Sequence, residues 1–203
     1  MGNAVIYIHG KGGSAAEALH YEALFPECDV IGLDYVSQTP WEAKTEFSSF
    51  FDKTAVNYGG VSIIGNSIGA YFAMNALSGK RIERAYFISP VVDMESIICG
   101  MMKMSGVSET ELYEKSSITL SFGETLSWEY LSYVREHPLH WDVPTYILFG
   151  DRDELTSPET MLAFAADIGA SLTVLKDGEH WFHTDEQMRF LDDWIIKTKK
   201  KGE

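Results

Sequence analysis

The sequence is poor in cysteine, in basic residues and in long apolar runs. Two cysteines, Cys28 and Cys99, among 203 residues are too few for a disulfide framework and are not spaced as metal ligands. They read as buried thiols of a reducing compartment. Sixteen Lys and Arg face thirty Asp and Glu, a formal charge of −14. Such a surface repels phosphate backbones and anionic headgroups, which argues against nucleic-acid and membrane-surface binding. The longest apolar runs are strand-sized, as in Ala4 to Ile8, so no membrane-inserting helix is expected. The first residues lack the basic and apolar regions of a signal peptide, and a cytoplasmic location is expected. No repeat, low-complexity tract or interdomain linker is visible, which points to a single domain over 1–203.

What is present is an alternation of short apolar runs with helical patterns. The runs are Ala4 to Ile8, Val30 to Leu33, Val61 to Ile64, Ala85 to Ile88, Pro144 to Phe149 and Leu172 to Leu175. Helices are expected after Ser14, from Thr39-Pro40, over Ile68 to Leu77, over Pro158 to Ile168, and over Thr184 to Lys197. Thr184 with Gln187 makes a capping box for the last of these. Residues 91–143 interrupt the alternation and read as a mostly helical insertion without a clear buried strand. Continuous apolar strands are buried on both faces. The fold class is therefore α/β, a doubly wound, mainly parallel six-stranded sheet with one insertion.

Ligands in such sheets lie beyond the carboxyl ends of the strands, and reactive residues gather there. Gly65-Asn66-Ser67-Ile68-Gly69 stands between a strand and an Ala-rich helix, the G-x-S-x-G nucleophile elbow. The turn is so sharp that the serine is forced into an unfavourable backbone conformation with its hydroxyl exposed. A Cβ two residues before or after it would clash. Ser67 is the candidate nucleophile. His9-Gly10-Lys11-Gly12-Gly13 follows the first strand, and its glycines let a backbone N–H turn into the site. The N–H groups of Lys11 and Ile68 are the candidate oxyanion hole, with Gly12 the next choice for the first. The same glycines do not form G-x-G-x-x-G or a Walker loop, so a phosphate-binding turn is disfavoured. His9 is expected to order this loop.

A serine hydroxyl needs an imidazole to take its proton, and the imidazole needs a carboxylate. His180, two residues past Gly178, is the candidate base. His183 lies just before the expected cap and is assigned a packing or capping role. Among Asp151, Asp153 and Glu154, Asp153 is the candidate carboxylate, being far enough past Gly150 to turn back towards His180. Asp151 is expected to bond within its turn or to pair with Arg152. His20, His137 and His140 are assigned to structure. No metal site and no cofactor are indicated.

Together these pieces resemble the α/β-hydrolase-fold serine hydrolases. The resemblance rests on the His9–Gly13 loop, the elbow at Ser67, Val143 to Gly150 with Asp153, and Gly178 to Phe182 with His180. It implies a Ser67–Asp153–His180 triad, an acyl-enzyme intermediate, and a lid at residues 91–143. The chain departs from the family in having no room before Ala4 for two further strands. It is thus expected to be a compact version, like small bacterial carboxylesterases. The expected substrates are small, neutral or apolar carboxylic esters, thioesters included. A stretch around residues 94–104, with Trp128, Tyr130 and Trp181, is a candidate acyl-pocket wall or, equally, simple packing of the insertion. C–C bond hydrolysis, another acyl transfer on the same triad, and a non-catalytic ligand-binding role remain as alternatives. The oligomeric state is left open.

Overall fold

The computed structural model describes residues 1–200. They form two compact units, one of Met1–Val92 with 140–200 and one of Asp93–Leu139. The first holds a sheet of six strands: β1 (Asn3–Ile8), β2 (Cys28–Leu33), β3 (Gly60–Asn66), β4 (Ala85–Ile88), β7 (Thr145–Gly150) and β8 (Ser171–Leu175). Their order is β2-β1-β3-β4-β7-β8, and every neighbouring pair is parallel. Each expected apolar run is one of these strands.

Side chains alternate between the two faces of the sheet. Val5, Tyr7, Ile64, Tyr86, Ile88 and Leu148 form one core with Tyr21 of helix α1 (Ala18–Glu22) and with Leu191, Trp194 and Ile195 of helix α8 (Asp185–Lys200). The opposite face carries helix α3 (Ile68–Leu77), because a Cβ on Gly65 would stand 2.9 Å from the Ala70 Cα. Helix α2 (Pro40–Ala55) packs on α3, with Phe47 and Phe72 in edge contact between them. Thr39 and Glu42 form a capping box, and Pro40 supplies the first helical position, where its missing N–H is not needed. Helix α7 (Pro158–Asp167) packs on β8. The residues from Ala4 to Ile8 are at most 1% exposed. At roughly 1.5–3 kcal/mol for a fully buried large apolar side chain, such strands are the main favourable term for this unit. The outer strands β2 and β8 are only half-buried, as edges must be.

The second unit is mostly helical. It contains helices α4 (Met94–Ser105), α5 (Glu109–Lys115) and α6 (Trp128–Glu136). It also contains an antiparallel hairpin of β5 (Ser117–Thr119) and β6 (Thr125–Ser127). Each hairpin strand is a single apolar residue between two hydroxyl residues, too short to show a period. Asp93, Ser108 and Ser127 cap the three helices, and Gly106 at φ 67° ends α4 in the left-handed region that favours glycine. Arg135 on α6 donates to Glu95 at 2.6 Å and, with two nitrogens, to Glu109 at 2.9 and 2.7 Å. These contacts hold its guanidinium above its ordinary pKa. The cysteines differ from expectation in degree: Cys28 and Cys99 are half-buried free thiols, and burial, the largest cause, raises the pKa of each.

Candidate active site

The strand order reverses at β1 and β3. The connection from β1 runs to one edge strand, whereas that from β3 runs the other way, so a crevice opens between their carboxyl ends. His9 to Gly13 flank it on one side and Ser67 on the other.

Ser67 has φ 52° and ψ −122°, a combination that a side chain rarely tolerates and that surrounding structure must impose. Hydrogen bonds and close packing impose it here. The Ser67 N–H donates to the Ile88 carbonyl at 2.9 Å, and the Ser67 carbonyl accepts from Ala70 and Val91 at 3.1 and 3.2 Å. A Cβ on Gly69 would stand 2.3 Å from the His9 carbonyl oxygen, and one on Gly65 3.1 Å from a Phe87 ring carbon. Only glycine admits that approach, which is the steric reason for the motif's spacing.

The Ser67 Oγ lies 2.8 Å from the Nε2 of His180. The Nδ1–H of His180 donates to the Oδ2 of Asp153 at 2.7 Å. The other oxygen of Asp153 accepts from the N–H groups of Leu155 and Thr156 at 2.8 and 3.2 Å. The Asp153 side chain is 1% exposed and that of His180 22%. A carboxylate so deeply buried needs all of these donors, and they also fix its orientation towards the imidazole. Residues 113 positions apart, Ser67 and His180, are thus joined, as are His180 and Asp153 across 27 positions.

Gly10 brings the first loop onto Ser67, since a Cβ there would lie 3.2 Å from the Ser67 Cβ. The loop turns through a bond from the Gly13 N–H to the Gly10 carbonyl at 3.1 Å, with Gly12 at φ 76°. Lys11 therefore sits at the apex beside Ser67. Ile68 is the first residue of α3, where an N–H has no partner within the helix.

The neighbouring histidines have other tasks. The Nδ1–H of His9 donates to the Gly10 carbonyl at 2.8 Å. Its ring stacks on Tyr35, whose hydroxyl donates to the His9 carbonyl at 2.8 Å. His183 donates to the Trp181 carbonyl at 2.8 Å, and Thr184 and Gln187 beside it exchange the capping-box bonds. Asp151 does not pair with Arg152. It accepts from the N–H of Asp177 at 2.6 Å, while Arg152 bonds the Asp177 carboxylate.

A cavity of about 750 Å³ opens beside Ser67 and His180, within the size range of small-molecule sites. Tyr7, Tyr21, Ile88, Leu155, Phe182 and Leu191 line it with Trp181, the one expected wall residue found there. Met94 to Met104, Trp128 and Tyr130 belong to the other unit. Glu17, Asn66 of the elbow and His20, which the sequence assigned to structure, also line the cavity; neither Tyr7 nor His20 was expected there. Tyr7 is hidden inside an apolar strand run, and His20 lies on a helix with no local motif around it. Among the described residues no group of His, Cys, Asp and Glu is arranged to hold a metal ion, and no helix is long and apolar enough to cross a membrane.

The sequence matches no family model and no curated protein. The structure resembles many solved chains. Est1E from Butyrivibrio proteoclasticus with bound ferulic acid superposes with a TM-score of 0.78 at 16% identity, covering 98% of this chain and 89% of that one. Alpha/beta hydrolase domain-containing protein 10 from mouse gives a TM-score of 0.75 at 16% identity, covering 98% and 90%. A lipase-esterase related protein from Clostridium acetobutylicum gives 0.63 at 15% identity, covering 96% and 93%. The parallel strand order, the elbow after β3 and these likenesses across nearly the full chain identify the fold as that of the α/β hydrolases.

Proposed function

We propose that this protein is a serine hydrolase cleaving carboxylic esters of small, neutral or apolar substrates. The observation that carries the reading is the unbroken hydrogen-bond chain Asp153–His180–Ser67, ending on a strained serine in a cavity. Ser67 Oγ attacks the carbonyl carbon while His180 Nε2 takes its proton. The N–H groups of Lys11 and Ile68 hold the resulting oxyanion, an interaction worth about 3–4 kcal/mol per donor in comparable sites. His180 returns the proton to the departing alkoxide, which leaves as the alcohol, and an ester bond joins the acyl group to Ser67. Water then attacks that ester, giving its proton to His180, and collapse of the second intermediate releases the acid and restores the serine hydroxyl. Asp153 holds the imidazole in the tautomer with hydrogen on Nδ1 and stabilises its cation.

The likeness to a lipase-esterase related protein supports an ester carbonyl as the target. The −14 charge disfavours strongly anionic substrates. The test is labelling with a fluorophosphonate, followed by location of the adduct. An adduct on Ser67, with ester turnover lost in Ser67→Ala, is the expected result. An unlabelled Ser67, or full turnover in that variant, overturns the reading in favour of a non-catalytic ligand-binding protein or another nucleophile.

A further inference from the structure

The loop after β1 is rich in glycine, which gives it little stiffness of its own. The bond from the Gly13 N–H to the Gly10 carbonyl at 3.1 Å closes a four-residue turn with Gly12 at φ 76°. Lys11, the other central residue, has a negative φ, so the turn is of type II. His9 and Tyr35 hold its start, through their bonds to the Gly10 and His9 carbonyls. Its far end rests on Glu17. One carboxylate oxygen of Glu17 accepts from the Ser14 N–H at 3.1 Å. The carboxylate also lies against the Gly13 backbone, where a Cβ would stand 2.7 and 3.1 Å from its two oxygens. The second oxygen accepts from the Tyr7 hydroxyl at 2.5 Å. Tyr7 belongs to β1, the strand that feeds the loop, and is 1% exposed. Burial above all, then the neighbouring Tyr21 and the bond to Glu17, keeps the proton on that hydroxyl to unusually high pH, so Tyr7 is a standing donor. Glu17 itself is exposed, and exposed hydrogen bonds add little to stability. What these bonds fix is position, because they pin the end of a glycine-rich turn to a strand in the core.

We propose that Glu17, anchored by Tyr7, is a positioning residue that holds the Gly10–Gly13 turn with the Lys11 N–H aimed at the oxyanion. The inference rests on the Lys11 N–H being an oxyanion donor and on Ser67 being the nucleophile. Neither Tyr7 nor Glu17 takes part in bond making. Their contribution passes through one N–H and grows as charge develops on the carbonyl oxygen, so it falls on kcat more than on KM. Without Glu17 the glycines let the turn drift, and a small displacement at a reacting centre is costly.

The experiment is a double-mutant cycle on p-nitrophenyl acetate turnover. Proline is favoured at the Lys11 position of a type II turn, so Lys11→Pro removes the N–H and keeps the turn. It is expected to lower kcat by about 10²–10³. Glu17→Ala and Tyr7→Phe are each expected to lower kcat about tenfold with KM nearly unchanged. Glu17→Gln still accepts from Ser14 and can bond the Tyr7 oxygen through its amide, and is expected to keep most of the activity. In the Lys11→Pro background the effects of Glu17→Ala and Tyr7→Phe are expected to fall towards one. Wild-type kcat in both of these single variants, or in Lys11→Pro, overturns the proposal. So does a Glu17→Gln variant no better than Glu17→Ala. A full tenfold loss retained in the Lys11→Pro background also overturns it, since the role then bypasses that N–H. Thermal melting checks each fold, and Tyr7→Phe, which removes only a hydroxyl, carries the cycle if Glu17→Ala does not fold. Fluorophosphonate labelling is measured on the same samples. Wild-type labelling at Ser67 with kcat indifferent to these substitutions overturns this inference and leaves the serine chemistry standing; absence of wild-type labelling overturns both.

Discussion

The carboxylate of Asp151 accepts a hydrogen bond from the backbone N–H of Asp177 at 2.6 Å, tying the loop after β7 to the loop after β8. The first of these loops carries Asp153 and the second carries His180. Two bonds run in the opposite direction, from Arg152 N–H to the Gly178 carbonyl at 2.8 Å and from Asp151 N–H to the Leu175 carbonyl at 3.1 Å. Gly150 and Gly178 lie so close that a Cβ on Gly150 would stand 2.4 Å from the Gly178 carbonyl oxygen. The separation of Asp153 from His180 is therefore set from behind, by residues outside the cavity.

Asp151→Ala is expected to loosen that separation. The bond is exposed, so its loss costs about 1 kcal/mol of stability. The effect on turnover is larger, about tenfold in kcat with KM nearly unchanged, because small displacements of reacting groups are costly. Steady-state kinetics and thermal melting separate the two, and a kcat equal to wild type refutes the positioning role.

Asp153→Asn keeps the size of the side chain but presents the wrong hydrogen-bonding group to His180. The imidazole is then held in the tautomer with hydrogen on Nε2, which cannot accept the Ser67 proton. A fall of about 10⁴ in kcat with the fold retained is expected. Retention of most of the activity would show that His180 takes its orientation from elsewhere.

Two glycine substitutions at the elbow are expected to move stability in opposite directions. Ser67→Gly relieves the strained backbone at φ 52° and is expected to raise stability by about 1 kcal/mol while abolishing turnover. Gly69→Ala places a Cβ against the His9 and Ile8 carbonyl oxygens and is expected to cost about 3 kcal/mol. Denaturant midpoints decide both, and a Ser67→Gly variant less stable than wild type would show that the elbow stores no strain.

Alkaline pH is expected to unfold the first unit. Burial, the largest cause, raises the phenol of Tyr35 to about 12, and holds Tyr7 and Tyr21 higher still and Tyr86 above its usual value. The folded state binds these protons more tightly than the unfolded state. Its stability is therefore intact below the ordinary tyrosine value near pH 10 and is lost as pH rises through the folded values. Phenolate absorbance and circular dichroism, followed together, should show these four ionising as the fold is lost. Their ionisation with the circular dichroism unchanged would contradict this.

The strands were legible because a strand buried on both faces must be apolar throughout, and helices α2 and α8 because their caps are local chemistry. The elbow was legible because its serine and its two glycines are five consecutive residues between a strand and a helix, although residues outside them hold Ser67 in its strained conformation. The hairpin of 117–127 was not, since three-residue strands carry no period. Nor were Tyr7 and His20 as cavity residues, because a tyrosine in an apolar run and a histidine on a helix look the same wherever the helix docks.

The sequence by itself determined the parallel sheet, the turn that presents Ser67, and the glycine loop beside it, all of which follow from local sterics and apolar periodicity. Only the tertiary structure set the 2.7 Å contact between Asp153 and His180 and the bond that holds Asp151 to the loop behind it, and walled the cavity with Tyr7, Tyr21 and Phe182. Those outcomes depend on strand order and on the packing of α1 and α8 over one face. Such packing sets distances between residues far apart in the chain, which spacing along it cannot encode.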